Sequence, residues 1–467
     1  MSLPIQASPR AVVHLLNRAG FGPRPGQVKE VLTQGLEAYI KDQLHPTPDP
    51  YVERRLRPFR TLGLGVTEVL GIYHADAKKI PQIIDEFYTA KMIRAVHSKN
   101  QLQEALVDFW FNHFNVNLPD MFVRQAVSSY ERDAIRPHVL GKFGDLLRAT
   151  AAHPAMLYYL DNYLSKKNEE VDGKLVRGLN ENYGRELLEL HTLGVDAGYT
   201  QEHVVDASRC FTGWTLDDLK TGRFVFRAKD HDTGGKEVFG LKVPAGGGKE
   251  DADKLLDYLA VHPATGRFVS RKLARRFVAD DPPESLVDSC AKTFVATGGD
   301  IPQVLHTLFT SREFWDEAGK PKLKTPVEYV FSALRASGAR VRSATPGLTK
   351  RLAAMGMQPY FATPPTGYSN RGVDWVNPLY LHRLNFALDL AAGNVQGVTL
   401  DLLAVVKQAG ASPEDPASVA QMFNREIFAD GLSAQTLTSL SDPGPGTVPA
   451  VTRVAGLILA SPEMQAR

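Results

Sequence analysis

The chain has 467 residues, 43% hydrophobic and 23% charged, and its 54 Lys and Arg nearly cancel 52 Asp and Glu. These are globular proportions with room for a large core, and a net charge of +2 is too balanced to mark a nucleic-acid partner. Only Cys210 and Cys290 are present, which excludes a disulfide framework and a thiolate zinc cluster.

The first twenty residues lack the basic start and apolar run of a secretory signal, so the chain as given is expected in the cytoplasm, with export open only if a signal was removed. No apolar run reaches about 18 residues, so no membrane span is expected. Helical periodicity then dominates. Pro25–Gln43 reads as an amphipathic helix interrupted near Gly35. Pro81–Val96 follows, with Ile83, Phe87, Met92 and Val96 inward, and then Gln101–Phe114. Gly141–Ala152 and Ala155–Leu164 form a pair broken at Pro154. Asn182–Leu193 is a helix stopped by Gly194, and Thr200–Phe211 is a helix with Thr200 as its cap.

From Gly213 to Gly240 the pattern shifts to alternation with a Gly-Gly turn, which predicts one or two β-hairpins on a helical body. Helices resume over Ala252–Phe314, Pro326–Ala336 and Asn377–Ala392. The basic run at Arg271, Lys272, Arg275 and Arg276 reads as a solvated helix face. Met355–Trp375, rich in Pro, Gly and aromatics, predicts a long ordered loop. Ala411–Val448 reads as loop-rich, and Val451–Leu459 closes the chain. The expectation is a mainly α protein: one integrated helical domain over residues 1–467, a small β insert at 213–240 and the ordered loop at 355–375.

Several phrases together resemble the DUF1800 family (domain of unknown function 1800) of bacterial proteins: HLLNRAGFGP (His14–Pro23), FWFNHFNV (Phe109–Val116), HPAMLYYLDN (His153–Asn162), NENYGRELLELHTLGVDAGYT (Asn180–Thr200), FTGW (Phe211–Trp214) and ILASPEMQAR (Ile458–Arg467). The resemblance spans nearly the whole chain. It implies the fold but no settled activity, and it implies a companion protein from a second, sulfatase-like family.

Candidate chemistry centres on the helix from Asn182. Spacings of three and four put Asn182, Glu186 and Glu189 on one stripe. Two carboxylates one turn apart repel, so they call for a cation, a shared proton or an arginine. Arg185, four residues before Glu189, is the arginine that could neutralise the pair, as is Arg209. A divalent metal would instead take Glu186 and Glu189, with His191 as a third ligand although it lies off the stripe. On the helix from Gln101, Asp108 shares a face with Glu104 and Asn112, while His113 sits on the apolar side as a core histidine. Asp161 and Asn162 read as turn-formers, or, for Asp161, as a carboxylate facing the cavity of Glu186. Trp110, Trp214, Trp375, Tyr159 and Arg185 are the expected substrate contacts, with the 355–375 loop as a lid.

No phosphate-binding loop, dinucleotide fingerprint, nucleophile elbow or His-Glu-x-x-His occurs. Three readings of function remain. One is a hydrolase or lyase on a small or sugar-like substrate, using Glu186, Glu189, Asp161, Asp108 and Asn182. A second is a lyase or cyclase on a prenyl-type substrate, although no Asp-rich diphosphate motif is visible. The third is a non-catalytic helical scaffold that binds a companion protein.

Overall fold

Periodic apolar residues become helices almost wherever the pattern predicts them. In the computed structural model, which describes residues 3–171, 174–176, 178–316, 320–441 and 448–467, helices account for 62% of the chain. Among the described residues the strands form only antiparallel two-stranded sheets. A contiguous buried cluster draws on residues from Ala11 to Met464. No helix among the described residues is long and apolar enough to cross a membrane.

The predicted β segment contains two hairpins, Trp214–Leu216 with Phe224–Phe226 and Lys236–Val238 with Leu241–Val243. Strand pairing also occurs where none was expected, at Glu169–Val171 with Lys174–Val176 and at Arg340–Val341 with Val398–Thr399. The stretch read as loop-rich holds two helices, Pro416–Phe428 and Ala434–Ser441, while residues 442–447 lie outside the described residues. The Asp415 side chain caps the first of these from just before Pro416, a start signal that the surrounding Ser, Pro and Gly obscured. The basic run is a solvated face only in part: Arg271, Lys272 and Arg275 are partly exposed, and Arg271 pairs with exposed Glu284 at 2.6 Å. Arg276 is buried and pairs with Glu328 at 2.8 Å.

The Gln101–His113 helix organises the interior. Nearly all of its side chains are buried, including charged Glu104. Arg136 neutralises Glu104 with two bonds, at 2.8 and 3.0 Å, and also reaches Glu131 at 3.0 Å. Such a buried cluster is tolerable only because each charge has a partner.

The 355–375 loop is bolted to this helix. Asn112 pairs reciprocally with the Tyr368 backbone, donating to its carbonyl at 2.8 Å and accepting its N–H at 2.7 Å. The Asn115 amide donates to the carbonyls of Ala362 and Pro364. Tyr360, at φ 68°, sends its phenol into the interior to bond Glu131 at 2.5 Å. Gly367, at φ +70°, lies so close to Asn112 that a side chain there would strike that residue's carbonyl. These bonds oppose the opening that a lid needs.

Candidate functional site

The helix from Asn182 is α-helical only through Glu186, and a π-turn then runs from Leu187 to His191. Its first half packs so tightly on the Gln201–Phe211 helix that a Cβ on Gly184 would lie 2.8 Å from the Ser208 backbone nitrogen. Thr200 caps that second helix, as the sequence suggests, by accepting the His203 N–H at 3.3 Å. The π-turn widens the helix, so a spacing of four across it no longer stacks side chains. Arg185 accordingly does not reach Glu189. It pairs with Glu181 at 3.1 Å, within the regular turn, and with Gln201 at 2.9 Å. Arg209 is engaged elsewhere too, with Asp206 at 2.7 Å and Asp232 at 2.9 Å.

Glu186 is half-buried, and among the described residues its carboxylate has neither a hydrogen bond nor an ion pair. Its pKa is raised, first by burial and then by the Glu189 charge, against a smaller pull from Arg185. Glu189 accepts a long hydrogen bond from Tyr199 at 3.4 Å. Burial, then the Glu189 charge, pushes the Tyr199 phenol up to about 12. Tyr159 is also pushed up to about 12, chiefly by burial, with Glu186 and Asp120 adding to it. Its phenol donates to the Thr363 carbonyl at 2.7 Å, so the 355–375 loop closes one side of this face.

Asp161 and Asp120 bear on neighbouring tyrosines. Asp161, at φ 58°, follows the short Pro154–Tyr159 helix. It bears on the phenols of Tyr158 and Tyr163, and Asp120 bears on Tyr158, Tyr159 and Tyr163. Tyr158 stacks between Phe122, at 4.6 Å and 18°, and Tyr163, at 4.9 Å and 14°. Glu186 thus bears on Tyr159 and Tyr199, Glu189 on Tyr199, and Asp161 on Tyr158 and Tyr163. Asn182 is half-buried, with its N–H on the Asn180 side-chain oxygen at 2.9 Å.

The other expected residues lie elsewhere. Asp108 is ion-paired with Lys91 at 2.8 Å and lines a crevice of only about 20 Å³ beside Asn112 and Tyr360. Trp110 is sealed in the core among Phe109, His113, Phe114 and Phe143, because the apolar side of its helix is buried there. Trp214 is buried against Phe211 and Phe224, and Asn162 holds its carbonyl at 2.9 Å. Trp375 is half-buried and donates to the Ser369 carbonyl within its own loop. His191 is turned into the core beside Phe114 and Tyr183, where burial and then the Lys272 charge lower its pKa to about 3. Its imidazole therefore does not join Glu186 and Glu189. Among the described residues no group of three or more His, Cys, Asp or Glu side chains is placed to hold a metal ion.

Sequence reasoning missed Tyr199, Asp120 and Asn115. Asn112 and Asn115 did carry a signal: they are polar residues three apart in the otherwise aromatic FWFNHFNV.

The model of one family, described as "Protein of unknown function (DUF1800)", matches residues 14–466. No curated protein and no solved structure matches the chain.

Proposed function

The chain belongs to the DUF1800 family of proteins of unknown function, and we propose that its tyrosine–carboxylate surface is an acid–base site of a hydrolase or lyase centred on Glu186. One observation carries the reading. The arginines that a purely structural pair of glutamates would require are bound to other acids, and Glu186 keeps its proton to higher pH than an ordinary glutamate. A carboxyl with a raised pKa beside a second carboxylate is the arrangement that general acid catalysis uses. Glu186 acts as the acid, and Glu189, held by Tyr199, is the partner carboxylate. The Phe122–Tyr158–Tyr163 stack offers an aromatic face to the ring of a small or sugar-like substrate. A divalent ion at this surface would find two protein carboxylates, Glu186 and Glu189, and draw its other ligands from water or substrate.

The test is a panel of nitrophenyl glycosides and esters assayed with the purified chain and with Glu186→Gln. Turnover that disappears in a variant of unchanged melting temperature supports the proposal. Equal turnover in both proteins ends it.

A second reading has its own support. Val373, Val376, Leu379 and Leu381, at the end of the long loop and the start of the Leu381–Ala391 helix, are all exposed. That run is the apolar surface on which a scaffold would seat a companion protein. Charge introduced there, as in Leu381→Asp, would abolish such an association and leave turnover intact.

A further inference from the structure

The start of the Ile80–His97 helix carries apolar surface that the main core does not absorb. Val69, Ile80 and Ile83 form a small cluster of their own, with Tyr73 and Ile84 packed against it. Tyr73, Ile80 and Ile84 also line a cavity of about 540 Å³, a volume that suits a small molecule. Leu118 and Met121 add to its walls, and Phe361 joins them from the long loop. The lining is thus apolar and partly aromatic.

Two polar side chains in this lining are left without partners. Gln125, on the Met121–Ser129 helix, is only 3% exposed. Among the described residues its amide makes no hydrogen bond, and its Oε1 is buried. Asp85 is half-buried and, among the described residues, has neither a hydrogen bond nor an ion pair, with Oδ1 buried. Other polar groups of the wall are committed. Tyr88 donates to the Pro359 carbonyl at 3.0 Å, and Gln358 donates to the Tyr88 phenol at 3.3 Å. Arg124 donates to the Pro119 carbonyl at 3.2 Å, and Thr349 to the Pro346 carbonyl at 3.4 Å. An acceptor buried without a donor keeps its full desolvation cost. What this cavity lacks is therefore a hydrogen-bond donor on an apolar body. That body need not bring charge, since the charged residues of the lining are Asp85 and Arg124, one of each sign.

We propose that this cavity binds a small, uncharged aromatic molecule bearing a hydroxyl group. The ring packs among Tyr73, Met121 and Phe361, where aromatic and thioether surfaces suit it. The hydroxyl donates to Gln125 or Asp85. None of the lining residues is Glu186, Glu189, Asp161 or a tyrosine they bear on, so this inference stands apart from the acid–base reading.

Isothermal titration of the intact chain with p-cresol and with its methyl ether tests it. The two have nearly the same shape, and only the cresol can donate. Saturable cresol binding is expected, with the ether about tenfold weaker, because a site with unpaired acceptors discriminates against a ligand that lacks the donor. Ala77→Trp, at an exposed position on the rim, should obstruct the cavity and abolish binding of both compounds. Gln125→Met and Asp85→Leu each remove an acceptor without breaking a bond, so the melting temperature should hold or rise. At least one of them should bring the cresol down to the affinity of the ether and leave the ether unchanged. Absence of cresol binding, equal affinity for the two compounds, binding that survives Ala77→Trp, or a cresol preference that survives both acceptor variants would each overturn the proposal.

Discussion

Arg185 turns back to Glu181, at 3.1 Å, instead of forward to Glu189. The choice follows from a change of helix type one residue later. A side chain four positions back is a neighbour in an α-turn, and one four positions ahead is not once the helix widens. Glu186 and Glu189 therefore keep their mutual repulsion, and a proton relieves it.

That relief has a pH signature. The folded pKa of Glu186 lies above its unfolded value, so the group adds stability when protonated and loses it as pH rises through the folded pKa. Glu186→Gln is a permanent mimic of the protonated form. It should melt at or above the wild-type temperature at pH 7, and the gap should close as pH falls towards 4. Differential scanning fluorimetry across that range checks this. A variant several degrees less stable at pH 7 would show instead that the carboxylate is a buried structural partner.

The loop rests on Tyr360 and Glu131. Their hydrogen bond at 2.5 Å has a charged acceptor, and the Glu131 carboxyl is held low, at about 2. Burial works against that shift, and Arg136 leads the cations that outweigh it. Tyr360→Phe removes the donor and keeps the ring packed on Phe87 and Phe111. The expected cost is about 1.5–3 kcal/mol in urea unfolding, the range for a hydrogen bond to a charged group. A cost near zero would mean that the loop is carried by its other anchors, Asn112, Asn115 and Tyr159.

What the sequence reveals here is largely what period alone can encode. The Gln101–His113 helix, the break at Pro154 and the Thr200 cap follow from spacing and cap chemistry. The π-turn does not, because LLELH has no residue that forbids a regular helix, and its widening comes with packing in the core. The same gap misdirected Arg185. Trp110 read as a substrate wall because aromatic residues serve both cores and pockets, and only packing separates the two. Glu186 and Tyr159 were legible as residue types, but their meeting depends on the way two distant segments dock.

The helix from Asn182 docks closely at Gly184. A methyl group there would meet the Ser208 hydroxyl and lie 2.8 Å from its backbone nitrogen and 3.0 Å from its Cα. Gly184→Ala should therefore destabilise the fold by about 1–3 kcal/mol, the usual range for overpacking. Adding Ser208→Ala should recover only part of that loss, since the backbone of the second helix still blocks the methyl. Full recovery in the double mutant, by thermal or urea unfolding, would show that the hydroxyl was the sole obstacle.

The buried histidines set the behaviour of the whole molecule in acid. His14, His153 and His191 are each held near pKa 3, and His97 near 4, in every case chiefly by burial. His14 donates from Nε2 to the Phe314 carbonyl, and His153 accepts the Ala155 N–H at Nδ1, so both take part in the structure as neutral rings. A base whose folded pKa is depressed stabilises the fold above its unfolded pKa, about 6.5 for histidine, and withdraws that stability as pH falls. Each such ring removes on the order of 1 kcal/mol per pH unit once it is protonated only in the unfolded chain. Several rings acting together give a steep dependence, opposite in sign to the shallow one expected from Glu186. Unfolding free energy should be flat above about pH 7 and drop by several kcal/mol between pH 6.5 and 4, with the low-pKa acids Glu131 and Glu328 adding to the loss as pH falls through the unfolded carboxylate value of 4.5. Urea titrations at half-unit intervals measure the slope, which reports protons taken up on unfolding. A slope of one proton or fewer at pH 5 would mean that these imidazoles are reached by water and protonate without unfolding the chain.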